Sequence, residues 1–172
     1  MLKGTIKESS ELLFVEQLKK HGYPDSAIVT EWRTQKACID IVVFDTETNI
    51  PLMIVECKSV NNPHSLEAAV NQLRRYNDVM DYPVRTYAAI YTGSGSFDFY
   101  DFTEKIKDAS TPISQCGPTN IPAYETIKTG AKSKFIDSQK KKKRKYITGL
   151  RIACWGIIPI IIALIIVLDA KE

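Results

Sequence analysis

Ile39-Asp40-Ile41-Val42-Val43-Phe44, followed after a short break by Leu52-Met53-Ile54-Val55-Glu56-Cys57-Lys58, decides how this chain reads. Both runs are rich in Val and Ile and have the composition of buried strands. The intervening Asp45-Thr46-Glu47-Thr48-Asn49-Ile50-Pro51 is polar and turn-forming, so the pair predicts an antiparallel hairpin. An aspartate, a glutamate and a lysine lie inside these apolar runs. Ionised groups are costly to bury without partners, so three in one place need a physical reason. A divalent metal held by both carboxylates, with the lysine beside it, supplies one.

A hairpin centred on Thr48 pairs residues whose numbers sum to 96, which sets Asp40 opposite Glu56. Directly opposed side chains have Cβ atoms roughly 4.5–5.5 Å apart, within reach of one shared cation. Alternation puts Asp40, Val42, Ile54, Glu56 and Lys58 on one face, and Ile41, Val43, Met53, Val55 and Cys57 on the other. A slip of one residue would send one carboxylate to the wrong side.

Working outward, Glu11 to Lys20 reads as an amphipathic helix after a lead-in over residues 1–8, ended by Gly22 and Pro24. Ala27 to Arg33 is a first strand. Asn61 to His64 is a loop, and Ser65 is an N-cap for a helix to Val79 in which Gln72 and Tyr76 are i,i+4 neighbours. Val84 to Thr92 is a buried strand, parallel to its predecessor because a helix crosses between them. Ser96 to Phe102 has the aromatic richness of an edge strand. The expected class is α/β, with a domain over 1–102. Residues 103–145, with Pro112, Pro118, Pro122, Gly117 and Gly130, read as an irregular linker.

The formal charge of the 172 residues is +3, but Lys140 to Lys145 (KKKKRK) alone carries +6 and the remainder carries −3. Attraction to polyphosphate must therefore be local or supplied by a bound cation. Cys38, Cys57, Cys116 and Cys154 have no metal-ligand spacing, and no disulfide scaffold is expected. Ile152 to Leu168 is free of charge. Extended by Tyr146 to Leu150, it reads as a C-terminal transmembrane anchor over 146–169, with a buried core helix as the other reading. Lysine flanking places the preceding domain at the cytoplasmic face, with anionic lipid as the expected partner of the basic run and DNA backbone as the second choice.

Aspartate on one strand and Glu-x-Lys on its hairpin partner is the layout of the PD-(D/E)xK nuclease superfamily. Residues 14–102 resemble, more closely, the N-terminal endonuclease module of type I restriction enzyme motor subunits, in its stand-alone form. The resemblance rests on Gly22-Tyr23-Pro24, on Ile39 to Asp45, on Pro51 to Lys58 and on Gln72-Leu73-Arg74-Arg75-Tyr76-Asn77. It implies a restriction-endonuclease-like mixed central sheet flanked by helices. It also implies that Asp40 and Glu56 are metal ligands, that Lys58 is the catalytic lysine, and that Gln72 and Tyr76 position the substrate. The backbone carbonyl of Cys57 would be a further ligand, and a helix glutamate, Glu11 before Glu8 or Glu16, would join the site. Glu31 falls where relatives often carry a strand glutamate, with no role assigned.

The expected activity is a Mg²⁺-dependent DNA endonuclease, with Mn²⁺ as a substitute, since hard cations prefer a few carboxylates plus water and phosphate oxygens. A homodimer is admitted. No nucleotide is expected, because Gly130-Ala131-Lys132-Ser133 lacks P-loop spacing. The motor subunits' ATP-driven domains have no counterpart in the sequence. The competing reading is a nuclease-fold module that binds nucleic acid or protein without cutting. In that case Asp40 could face solvent, and Glu56–Lys58 could be an ordinary same-face ion pair.

Overall fold

A computed structural model describes residues 2–80, 84–106, 113, 116–131, 133, 135–141 and 143–145. Its first 133 residues form one compact unit. The elements are α1 (Leu2–Lys20), β1 (Ile28–Arg33), β2 (Cys38–Phe44), β3 (Pro51–Lys58), α2 (Pro63–Val79), β4 (Arg85–Gly93) and β5 (Ser96–Asp101). A helical stretch at 124–131, here α3, follows. The five strands lie in sequence order, β1-β2-β3-β4-β5. Only the β3–β4 pair is parallel; the crossover through α2 makes it so.

The hairpin has the expected register. Ile41 pairs with Val55, Val42 with Ile54 and Val43 with Met53, and the register shifts by one at Phe44–Pro51. The two faces separate as the alternation requires. Ile41, Val43, Met53, Val55 and Cys57 join Phe14, Val15 and Leu18 of α1 in one apolar layer. Val42 and Ile54 join Ala69, Val70, Leu73 and Tyr76 of α2 in the other. The sheet is thus sandwiched between helices. Leu73 is wholly buried, and trimming it to Ala would cost about 2–5 kcal/mol.

Helix ends follow local chemistry. Gly22 adopts φ +83°, and Tyr23 N reaches back to Leu18 O at 3.2 Å, closing α1 with a left-handed residue. α2 begins two residues before the expected Ser65. Asn62 is its N-cap, accepting from Ser65 N at 2.8 Å, with Pro63 in the first turn. Proline there gives up only an N–H that the helix would leave unbonded.

The segment expected to be linker is structured in part. α3 inserts Tyr124, Ile127 and Ala131 into the α1-side layer. Tyr124 Oη donates to Phe44 O at 3.1 Å and accepts from Thr46 N at 3.2 Å, while Thr119 N bonds Phe99 O at 2.6 Å. Three apolar residues at helical spacing are enough to dock a two-turn element when its ends are tied to the sheet.

Residues 134–172 form a second unit, in which 135–141 and 143–145 are helical. There Lys140, Lys141, Lys143, Arg144 and Lys145 are exposed. The single-pass membrane placement expected from the sequence is corrected. No helix among the described residues is long and apolar enough to cross a membrane, because the described helices each carry charged or polar faces. The stretch on which that expectation fell, 146–169, lies outside the described residues.

Candidate active site

The β2–β3 ladder stops after Ile41–Val55, and an aspartate side chain takes over. Asp40 Oδ2 accepts the main-chain N–H of Cys57 at 2.9 Å. A buried amide must find an acceptor, and here it finds a carboxylate instead of the neighbouring strand. β1 adapts to the same point. Its register sets Glu31 opposite Asp40, and Glu31 takes φ +48° within the strand, a backbone state that non-glycine residues seldom adopt.

Glu56 is wholly buried and Asp40 nearly so, at 4% exposure. Glu56 Oε1 accepts Lys58 Nζ at 2.6 Å, and Oε2 accepts Tyr76 Oη at 2.9 Å. Lys58 Nζ also donates to Gln72 Oε1, and Gln72 Nε2 approaches Tyr76 Oη at 3.4 Å. The four side chains close a ring. Its direction follows from the donor inventory: an ammonium has no acceptor, so it must face the Gln72 oxygen. That turns the Gln72 amide nitrogen toward Tyr76, whose own proton is then aimed at Glu56.

Electrostatics set this corner apart. Burial first, and then the Asp40 carboxylate, push the Glu56 carboxyl up to about 7, against the pull of Lys58 and Tyr76. Burial, followed by Glu56, raises the Tyr76 phenol above its usual range, so it stays a donor. Two neighbouring buried carboxylates with one ammonium, held on Glu56, favour either a proton or a cation. A hard dication fits that donor set. Among the described residues no three His, Cys, Asp or Glu side chains converge as a self-sufficient metal site. Magnesium commonly takes only one or two carboxylates and completes its shell with water and phosphate oxygens.

The structure thus brings Asp40, Glu56, Lys58, Gln72 and Tyr76 together. Cys57 takes part through its backbone, while its thiol is buried in the α1-side layer. Glu11 stands outside the ring, buried on α1 and bordering a cleft with Leu12, Thr30 and Glu31. Glu16 pairs on the surface with Lys19 at 3.0 Å. The Cys57 N–H bond to Asp40 and the distortion at Glu31 had no sequence signal, since the first arises where the β2–β3 ladder ends and the second at an interruption within the β1–β2 ladder.

The family model for the type I restriction enzyme R protein N terminus matches residues 12–94. No curated protein matches the chain. Among solved structures, the type IIG restriction endonuclease BpuSI is similar at 16% sequence identity with a TM-score of 0.38, over 79% of this chain and 16% of that one. The chain therefore spans about a sixth of that protein's length. The family match, over a little under half of the 172 residues, supports a restriction-endonuclease-like domain at residues 12–94.

Proposed function

We propose that the chain is a divalent-metal-dependent endonuclease that hydrolyses phosphodiester bonds in DNA. The observation that carries this reading is the buried Asp40–Glu56 pair with Lys58 Nζ 2.6 Å from Glu56. In it, Asp40 and Glu56 hold Mg²⁺, or Mn²⁺ in its place, with the Cys57 carbonyl as a further ligand and Glu11 as an outlying carboxylate. A bound metal lowers the pKa of its water and withdraws charge from the phosphate.

The protein's own groups do the rest. Lys58 places a compact positive charge where the attacking oxygen and the phosphate meet, and so steadies charge that develops in the transition state. Gln72 holds Lys58 from one side and Tyr76 from the other. Tyr76 donates to Glu56 Oε2, which orients the carboxylate and leaves Oε1 for Lys58 or the metal. Gln72 and Tyr76 thus serve as positioning residues. The test is nicking of supercoiled plasmid by the full chain with Mg²⁺ or Mn²⁺. Wild type is expected to cut, and Asp40→Ala and Lys58→Ala to be inert. Equal cutting by all three would end the proposal.

The hydrogen-bond ring is complete within the protein, and that favours a second reading: a nuclease-fold module that binds nucleic acid without cutting. Binding without cleavage by wild type in either metal would select it.

A further inference from the structure

A cleft of about 440 Å³ is lined by Trp32, Thr34, Gln35, Lys36, Asp78 and Val79. Its walls are the β1–β2 turn and the C-terminal end of α2. One wall is close in the fold to Asp40 and the other follows Tyr76 in sequence. Trp32 pairs with Ile39, the residue before Asp40. Strands lie about 4.8 Å apart and advance about 3.3 Å per residue, so the Cα atoms of Trp32 and Asp40 are about 6 Å apart. On the helix, Asp78 and Val79 follow Tyr76 within a single turn. Trp32 also packs on the same layer of the sheet as Tyr76.

The lining has the chemistry of a base-binding slot. Trp32 is half-buried, and the Phe44 ring meets its indole edge-to-face at 5.9 Å, which restrains the ring. Thr34 spends its hydroxyl on the turn itself, accepting from Ala37 N at 2.9 Å and from Lys36 N at 3.2 Å. The turn that presents exposed Gln35 and Lys36 is therefore fixed in advance, which lowers the cost of ordering it on binding. An indole stacks on any base. Gln35 can both donate and accept, Asp78 accepts from exocyclic amines, and Lys36 answers a phosphate.

We propose that this cleft receives a nucleobase turned out of the stack beside the phosphate to be cut, with Trp32 as its stacking surface. This rests on the nuclease reading above, and it makes unpaired or locally opened DNA the preferred substrate. A base here would anchor its strand on Trp32, one strand over from the backbone of Asp40.

The test uses the full chain carrying Lys58→Ala, to prevent cutting, and Trp155→Phe, to leave Trp32 as the sole tryptophan. Single-stranded oligonucleotide is expected to quench Trp32 emission, and the same oligonucleotide with abasic sites to quench far less. Trp32→Leu is expected to weaken single-strand binding about 5- to 150-fold, with Trp32→Phe recovering most of it. Lys36→Ala, on an exposed turn where folding is not at stake, is expected to weaken binding and flatten its salt dependence. In the cutting enzyme Trp32→Leu should raise KM more than it lowers kcat. Equal quenching by abasic strand, or unchanged binding by both Trp32→Leu and Lys36→Ala, overturns the cleft. Metal-dependent nicking indifferent to Trp32 would remove the cleft and leave the nuclease standing. Base-dependent quenching by a chain that never cuts would do the reverse.

Discussion

The β2–β3 hairpin buries a carboxylate near each end, and the two are held in opposite ways. Asp45 and Glu56 are both wholly inaccessible. Asp45 is satisfied by its own turn: it accepts from Glu47 N at 3.2 Å and Thr48 Oγ1 at 2.7 Å, and Lys128 Nζ stands 3.7 Å away. Glu56 has Lys58 and Tyr76, but it also has Asp40, and burial plus that second acid raise its pKa to about 7. Burial of an acid is therefore not in itself a mark of function. A second acid placed against it, as Asp40 is against Glu56, makes a candidate site, because each carboxylate raises the cost of ionising the other.

Several substitutions would break or sharpen this contrast. On the proposed mechanism, Lys58→Ala should lower plasmid nicking by about 10²-fold or more, while Asp45→Asn should cut at near the wild-type rate and only melt earlier. If both lost activity alike, the distinction would dissolve. In urea titrations, Asp45→Ala should destabilise by about 2–4 kcal/mol, since it strips a turn of its acceptor and leaves Lys128 less well paired. Glu56→Gln should be neutral or stabilising in chelator at pH 8, where it removes the buried like-charge pair.

The pH dependence has a definite sign. The Glu56 carboxyl ordinarily titrates near 4.5 and is raised to about 7 in the fold, so the folded state binds its proton more tightly. That contribution to stability is fully present below pH 4.5 and is lost as pH rises through 7. Metal-free wild type should accordingly decline over this window relative to Glu56→Gln, as thermal melts across pH would report. A flat difference would mean that burial and Asp40 together do not raise the Glu56 carboxyl. The smallest expected effect is Tyr124→Phe. Losing the hydroxyl bridge to Phe44 O and Thr46 N should cost about 1 kcal/mol, with no change in metal response.

The strands of the hairpin and the faces of its central residues were legible from alternation, while the register rested on centring the turn at Thr48, since a slip of two residues keeps both faces. Gln72 and Tyr76 entered through the family resemblance, because helical spacing alone says only that they are i,i+4 neighbours. Other features depend on distant partners. Asn62 takes the cap from Ser65 because Pro63 moves the helix start forward, a choice between two good local signals. α3 lies among prolines with little periodicity, and its docking depends on Phe44 and Thr46, nearly eighty residues upstream. The expected membrane span had a compositional signal, and no described helix sustains it.

Glu31 has a consequence beyond the corner it faces. β1 is an outer strand of the sheet, and such strands offer unpaired amides to any passing chain. A left-handed residue in the middle of β1, with Arg33 and Glu31 themselves 3.8 Å apart, breaks that row of donors and acceptors and sets charge along it. The same kink that accompanies Asp40 thus guards the molecule against growing its sheet into a neighbour and aggregating through that border.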